Sequence, residues 1–168
     1  LDVSEEKSAT LIAKEIRSRI FKERGLTASA GVAPNKFLAK VASDWKKPDG
    51  LFVIAPSAVE AFMKELPIAK IPGIGQVSLK RFYDLNIRTC GDLQELDLTA
   101  LHDHFGKRAW DLHQLCRGID ERPVSSEWIR KSISVESTFS HDLLDLDECL
   151  KEVPELYLRL MTRYHKIQ

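Results

Sequence analysis

Cysteine is scarce. Its three residues, Cys90, Cys116 and Cys149, are widely spaced and odd in number. That excludes a disulfide framework and suits free, packed thiols in a reducing cytoplasm. Neither a Cys-x-x-Cys pair nor a zinc-finger spacing occurs, so His102, His104, His113 and Cys116 do not read as a metal set. No apolar run reaches membrane-spanning length, and no signal peptide is present. An excess of charge is missing too: 25 Lys and Arg balance 25 Asp and Glu. A generic polyanion binder is thereby excluded, and any contact with nucleic acid must come from local clustering. Such clustering exists. Lys36 to Lys47 holds four lysines against one aspartate, whereas residues 132–168 hold seven acids and four bases. Internal repeats and low-complexity tracts are absent. What remains is 43% hydrophobic residues over 168 positions, enough for one or two domains with real cores.

The most informative stretch is Ile68 to Asn86. Gly73 and Gly75 flank Ile74, with Ile68 and Ile71 before them and a helical pattern of Val77, Leu79 and Phe82 after. This resembles a helix-hairpin-helix motif. Two glycines permit a tight turn and close backbone approach. The helix that follows starts with unpaired amides and the positive end of its dipole, which together suit a phosphate. Lys70, Lys80 and Arg81 add charge nearby. A site of this kind grips a backbone without reading bases. The same residues also fit an ordinary helix–helix turn.

Elsewhere the chain reads in order. Leu1 to Val3 looks like a strand end. Ser4 with Glu5 and Glu6 opens a helix carrying Ala9, Ile12, Ala13, Ile16 and Ile20, ended by Gly25. Leu26 to Val32 alternates as a strand with one buried face. Asn35 caps a helix whose apolar face is Phe37, Leu38, Val41, Ala42 and Trp45. Lys36, Lys40 and Lys47 fall in a narrow arc at about 3.6 residues per turn, either a solvated face or a phosphate-facing surface. Pro48-Asp49-Gly50 is a turn, Leu51 to Ala55 a strand, and Ser57 to Glu60 a capping box opening a helix to Glu65. Short helices follow: one capped by Thr89 and Asp92, one begun by Leu98 and Leu101, a second turn at Phe105-Gly106, and one burying Ala109, Trp110, Leu112 and Cys116. Residues 119–130 read as a linker. Lys131 to Phe139 alternates as a strand, and Leu146 to Tyr164 is an amphipathic helix that Pro154 should kink or restart. The fold class expected is α+β: an α/β part, an all-helical part and an incomplete β/α unit.

The ordered motifs carry a family resemblance. Leu26-Thr-Ala-Ser-Ala-Gly-Val-Ala-Pro-Asn-Lys-Phe-Leu-Ala-Lys-Val-Ala-Ser-Asp44 is followed by Lys47-Pro-Asp-Gly50 and Lys70-Ile-Pro-Gly-Ile-Gly75. Gly118-Ile-Asp120 and Arg130-Lys-Ser-Ile-Ser-Val-Glu136 come next. In this order they resemble the Y-family translesion DNA polymerases of the bacterial polymerase IV type. The resemblance implies the C-terminal part of a palm at 1–66, a thumb at 67–118, a linker at 119–130 and the start of a little finger at 131–168. By motif position Lys47 is similar to the lysine that contacts the incoming triphosphate. Lys36, Lys40, Lys70, Gly73, Ile74, Gly75 and Lys80 are the expected DNA contacts of palm and thumb. Arg130, Lys131 and Ser132 match the segment where the little finger approaches the template backbone.

The implied reaction is error-prone, template-directed nucleotidyl transfer, with primer–template DNA, a deoxynucleoside triphosphate and a sliding clamp as partners. It implies two magnesium ions, held in this family by an Asp near the chain start and an Asp-Glu pair in a Ser-x-Asp-Glu-Ala-Tyr-Leu-Asp run. Leu1-Asp2 matches the end of that run, which makes Asp2 its trailing residue and leaves no metal ligand or catalytic residue among the 168. The chain alone is therefore expected to be inactive. The clamp-binding tail is likewise expected outside it. Two other classes stay open: a stand-alone helix-hairpin-helix DNA-binding module, and an interaction protein dimerising through Tyr157, Leu160 and Tyr164.

Overall fold

A computed structural model describes residues 1–3, 8–125 and 130–167. It divides into two units, Leu1–Val124 and Ser125–Gln168.

The first unit begins with α1 (Ala9–Arg24), which Ser8 caps by accepting from the Leu11 amide and Gly25 closes in the left-handed region. The helix entry expected at Ser4 lies outside the described residues. Strands β1 (Ala30–Val32) and β2 (Leu51–Val53) are parallel, pairing Ala30 with Leu51, Gly31 with Phe52 and Val32 with Val53. Helix α2 (Lys36–Trp45) crosses between them, and the Asn35 side chain caps it through the Leu38 amide. Of the face its spacing predicts, Phe37, Leu38, Val41 and Ala42 are buried, while Trp45 at the helix end is 40% exposed and packs against Phe52 and Phe62.

Four short helices complete the unit after α3 (Val59–Glu65): α4 (Gln76–Asp84), α5 (Cys90–Gln94), α6 (Leu98–Phe105) and α7 (Ala109–Leu115). Thr89 and Asp92 form the expected reciprocal cap of α5. One continuous core joins α2 to these helices, running from Leu38 and Met63 through Phe82 and Leu93 to Leu101 and Leu112. The Asn35 amide also donates to the Gly118 carbonyl at 2.8 Å, tying the start of α2 to the end of the α7 segment.

Several expectations fail for local reasons. Leu1 to Val3 forms no strand, and residues 26–29 extend without a ladder, because β2 offers partners to three residues only. Ser57 does not make a capping box. Pro56 starts a short 3-10 turn, Pro56–Ala58, α3 is entered from Ala58 without a side-chain cap, and Glu60 pairs with Lys64 at 2.8 Å. Val77, expected on the inner face of α4, is 89% exposed.

The second unit carries α8 (Leu146–His165), capped by Asp145. Lys131 to Phe139 is not a strand. Its alternation survives, with Ile133 and Val135 half-buried, but no neighbouring strand exists among the described residues. The arginines of α8 bond this segment instead: Arg159 donates to the Glu136 carbonyl at 3.1 Å and Arg163 to the Ser134 carbonyl at 3.0 Å. Pro154 does not restart α8. It sits on the exposed side of the helix, as does Leu150 one turn back. No helix among the described residues is long and apolar enough to cross a membrane.

The thiols differ sharply in environment. Cys90 and Cys116 are buried and Cys149 is exposed. Burial pushes the Cys90 thiol up to about 12 and raises Cys116 as well. A thiol reagent applied to the folded chain is expected to modify Cys149 and spare the other two until denaturant is added. Mass spectrometry showing Cys90 labelled as fast as Cys149 would contradict this packing.

Candidate nucleic-acid interface

The elbow between the 3-10 turn Ile68–Lys70 and α4 is built by its two glycines in different ways. Gly73 takes φ +88°, a conformation that a side chain would strain. Gly75 takes φ −88° and ψ 174° at the N-cap of α4, and a Cβ added there would meet nothing within 4 Å beyond its chain neighbours. No side chain caps α4. Its first turn, Gln76 to Ser78, therefore presents main-chain amides at the positive end of the helix dipole with no side-chain acceptor of the chain's own. Ile74 turns inward, half-buried against the core, and holds the elbow on the body of the unit.

A groove of about 540 Å³ beside this elbow is lined by Lys40, Asp44, Lys70, Gly73 and Ile74. A second, of about 820 Å³, runs between α2 and α7 past Lys36, Lys40, Gly73 and Arg108. The fold thus brings Lys36, Lys40, Lys70, Gly73 and Ile74 onto one side of the unit. Lys36 is held there by its bond to the Pro123 carbonyl at 2.9 Å. Lys80 lines neither groove, being exposed on α4 and paired with Asp84 at 3.0 Å. Arg130, Lys131 and Ser132 lie in the second unit, exposed on irregular backbone.

The arc proposed for Lys36, Lys40 and Lys47 needs correction, since α2 ends at Trp45 and Lys47 follows in the turn. What joins the last two is Asp44, whose carboxylate receives Lys40 at 2.6 Å and Lys47 at 2.5 Å. Those two hydrogen bonds hold the Asp44 carboxyl down at about 2 against an ordinary 3.8. Its charge, and hence the bridge, persists throughout the neutral range.

Arg108 escaped the sequence reading. It follows the second turn at Gly106, 35 residues from Gly73, and donates to the Gly73 carbonyl at 3.4 Å. Its only sequence signal is that second glycine turn. Arg81 is likewise turned aside, lying over the Phe105 ring at 5.7 Å.

Comparison with known proteins decides what this arrangement belongs to. A family model described as the DNA polymerase-iota thumb domain matches residues 69–120, which hold both glycine turns. The impB/mucB/samB family model matches residues 2–44. The chain is 63% identical over 160 residues to DNA polymerase IV of Protochlamydia amoebophila, covering 95% of this chain and 46% of that protein. It is 52% identical over 163 residues to DNA polymerase IV of Francisella philomiragia, covering 96% and 47%.

The chain belongs to the Y-family DNA polymerases.

It spans about half the length of the Y-family relatives it matches. Solved structures agree on the fold. A Y-family polymerase chimera, Dbh-Dpo4(243-245)-Dbh, superposes with a TM-score of 0.71 at 35% identity, covering 77% of this chain and 39% of that one. An insertion ternary complex of Dbh DNA polymerase gives 0.68 at 36% identity, covering 74% and 38%. DinB from Sulfolobus solfataricus gives 0.64 at 38%, covering 68% and 34%.

Proposed function

We propose that this chain is the duplex-gripping part of an error-prone translesion DNA polymerase, acting in template-directed nucleotidyl transfer and the repair of damaged DNA. The observation that carries the proposal is the uncapped glycine elbow at Gly73 to Gly75. The amides of Gln76 to Ser78 take a phosphate oxygen of the primer–template backbone, and Lys70 and Arg108 add positive charge beside it. Because phosphates are alike in every sequence, this grip holds the duplex while the template slides through.

The domain roles follow the same reading: palm at 1–66, thumb at 67–118, linker at 119–130 and little finger from 131. The thumb match over 69–120 supports the second of these. Arg130, Lys131 and Ser132 contact the template backbone from the little finger. Lys47 binds the triphosphate of the incoming nucleotide, with Asp44 holding its ammonium in place until phosphate arrives. A sliding clamp is a further partner on the same grounds. Divalent-metal dependence goes with the family. Among the described residues no group of three or more His, Cys, Asp or Glu side chains converges. Those residues do not fit the role of holding the ions.

Fluorescence anisotropy on unrelated duplexes tests the grip. Affinities are expected to agree within about twofold across sequences, and with about three neutralised phosphates log K should fall against log salt with a slope near −2.7. Absence of duplex binding at low salt, or a strong sequence preference, would overturn the assignment.

A further inference from the structure

Lys47 lies in a turn whose position is set from outside. Arg17, in the middle of α1, reaches across to that turn and pairs with Asp49, its side chain 21% exposed. Its Nε donates to the Ala28 carbonyl at 2.7 Å, on the approach to β1. Its Nη2 donates at 2.6 Å both to the Asp49 carbonyl and to Asp49 Oδ1. Asp49 is held in the left-handed region, φ +48°, unusual for a residue other than glycine. The next residue is fastened to β1: the Gly50 amide donates to Ser29 Oγ at 3.2 Å, and the Gly50 carbonyl accepts from the Ala30 amide at 2.8 Å.

We infer that Arg17 is a positioning residue for Lys47, clamping the Lys46–Gly50 turn to α1 and β1 so that the Lys47 ammonium stands where a polyphosphate binds. The inference rests on the triphosphate reading of Lys47. Arg17 touches no ligand. Its planar guanidinium makes three bonds in a fixed geometry, two of them to one residue, which a lysine cannot reproduce. Asp44 fixes the ammonium end of Lys47 and Arg17 fixes the backbone that carries it. Placement of a charged group within a fraction of an ångström governs how well it meets its ligand.

The test is a titration of this chain with inorganic tripolyphosphate, followed by NMR at the Gly50 amide and the Lys47 side-chain signals. Wild type is expected to respond saturably, and Lys47→Ala to lose the response at Gly50. Arg17→Met should weaken binding about tenfold and Arg17→Lys less. Asp49→Gly keeps the backbone acceptor and relieves the left-handed residue, and should weaken binding about threefold. It decides the matter if Arg17→Met fails to fold. Loss of the response in Lys47→Ala with wild-type affinity in Arg17→Met and Asp49→Gly would overturn the role of Arg17 and leave the triphosphate reading intact. A wild type in which Lys47 does not respond would remove both.

Discussion

Gly75→Val is expected to bind duplex DNA about tenfold more weakly than the wild type, with the melting temperature held within about 5 °C. The geometry separates the two effects. Residue 75 has extended backbone angles that valine adopts readily, and beyond its two chain neighbours no residue comes within 4 Å of the position its Cβ would take. The cost to the fold is the loss of glycine at a helix N-cap, at most about 1 kcal/mol. The cost to the ligand is larger, because the branched side chain occupies the approach to the amides of Gln76 to Ser78. Gly73→Val should also weaken binding, but it is the poorer probe. At φ +88° any side chain strains the turn itself, so lost affinity there mixes blocked approach with a displaced elbow. Anisotropy titrations beside thermal melts would read both quantities. Unchanged affinity in Gly75→Val would mean that no strand comes close to this backbone.

How much of this was legible in the sequence depends on the range of the forces involved. Asn35 and Thr89 were readable as caps because a cap is settled within three residues, between a side-chain oxygen and a nearby amide. The buried face of α2 was readable for the same reason, since helical period alone determines which residues align. Ser57 misled because Pro56 had already committed the chain to a 3-10 turn. Lys131 to Phe139 keeps its alternation at Ile133 and Val135, whereas Leu26 is exposed and residues 28–32 are all half-buried. Alternation in any case says nothing about whether a partner strand exists. In Leu26 to Val32 only three residues find one, and in Lys131 to Phe139 none does among the described residues.

At the candidate site the glycine elbow was visible, being local. Its surroundings were not. Lys47 joins Lys40 through the shared Asp44 carboxylate and not through helical period, as α2 has already ended. Arg108 reaches Gly73, and Arg17 reaches Asp49, across 35 and 32 residues of sequence. Contacts at that range exist only once the core has formed.

The same type of substitution inside the sheet should have the opposite outcome. Gly31→Ala is expected to cost about 4 kcal/mol, a large share of the about 5–15 kcal/mol that a domain of this size has in all. An added Cβ at Gly31 would lie 2.1 Å from the Ala39 carbonyl oxygen, 2.3 Å from the Ser43 nitrogen and 2.8 Å from the Ala42 carbonyl carbon. All three are main-chain atoms of α2, so no rotamer change makes room. The helix must retreat from β1, and with it Phe37, Leu38, Val41 and Ala42 leave a close-packed core. Lys36 and Lys40 would move as well, together with the turn that follows α2 and carries Lys47. Urea unfolding of Gly31→Ala beside Gly75→Val provides the contrast: a large fall in midpoint for the first and almost none for the second. A midpoint for Gly31→Ala close to that of the wild type would show that α2 does not rest on β1 as closely as described. The candidate nucleotide and duplex contacts would then have no rigid frame in common.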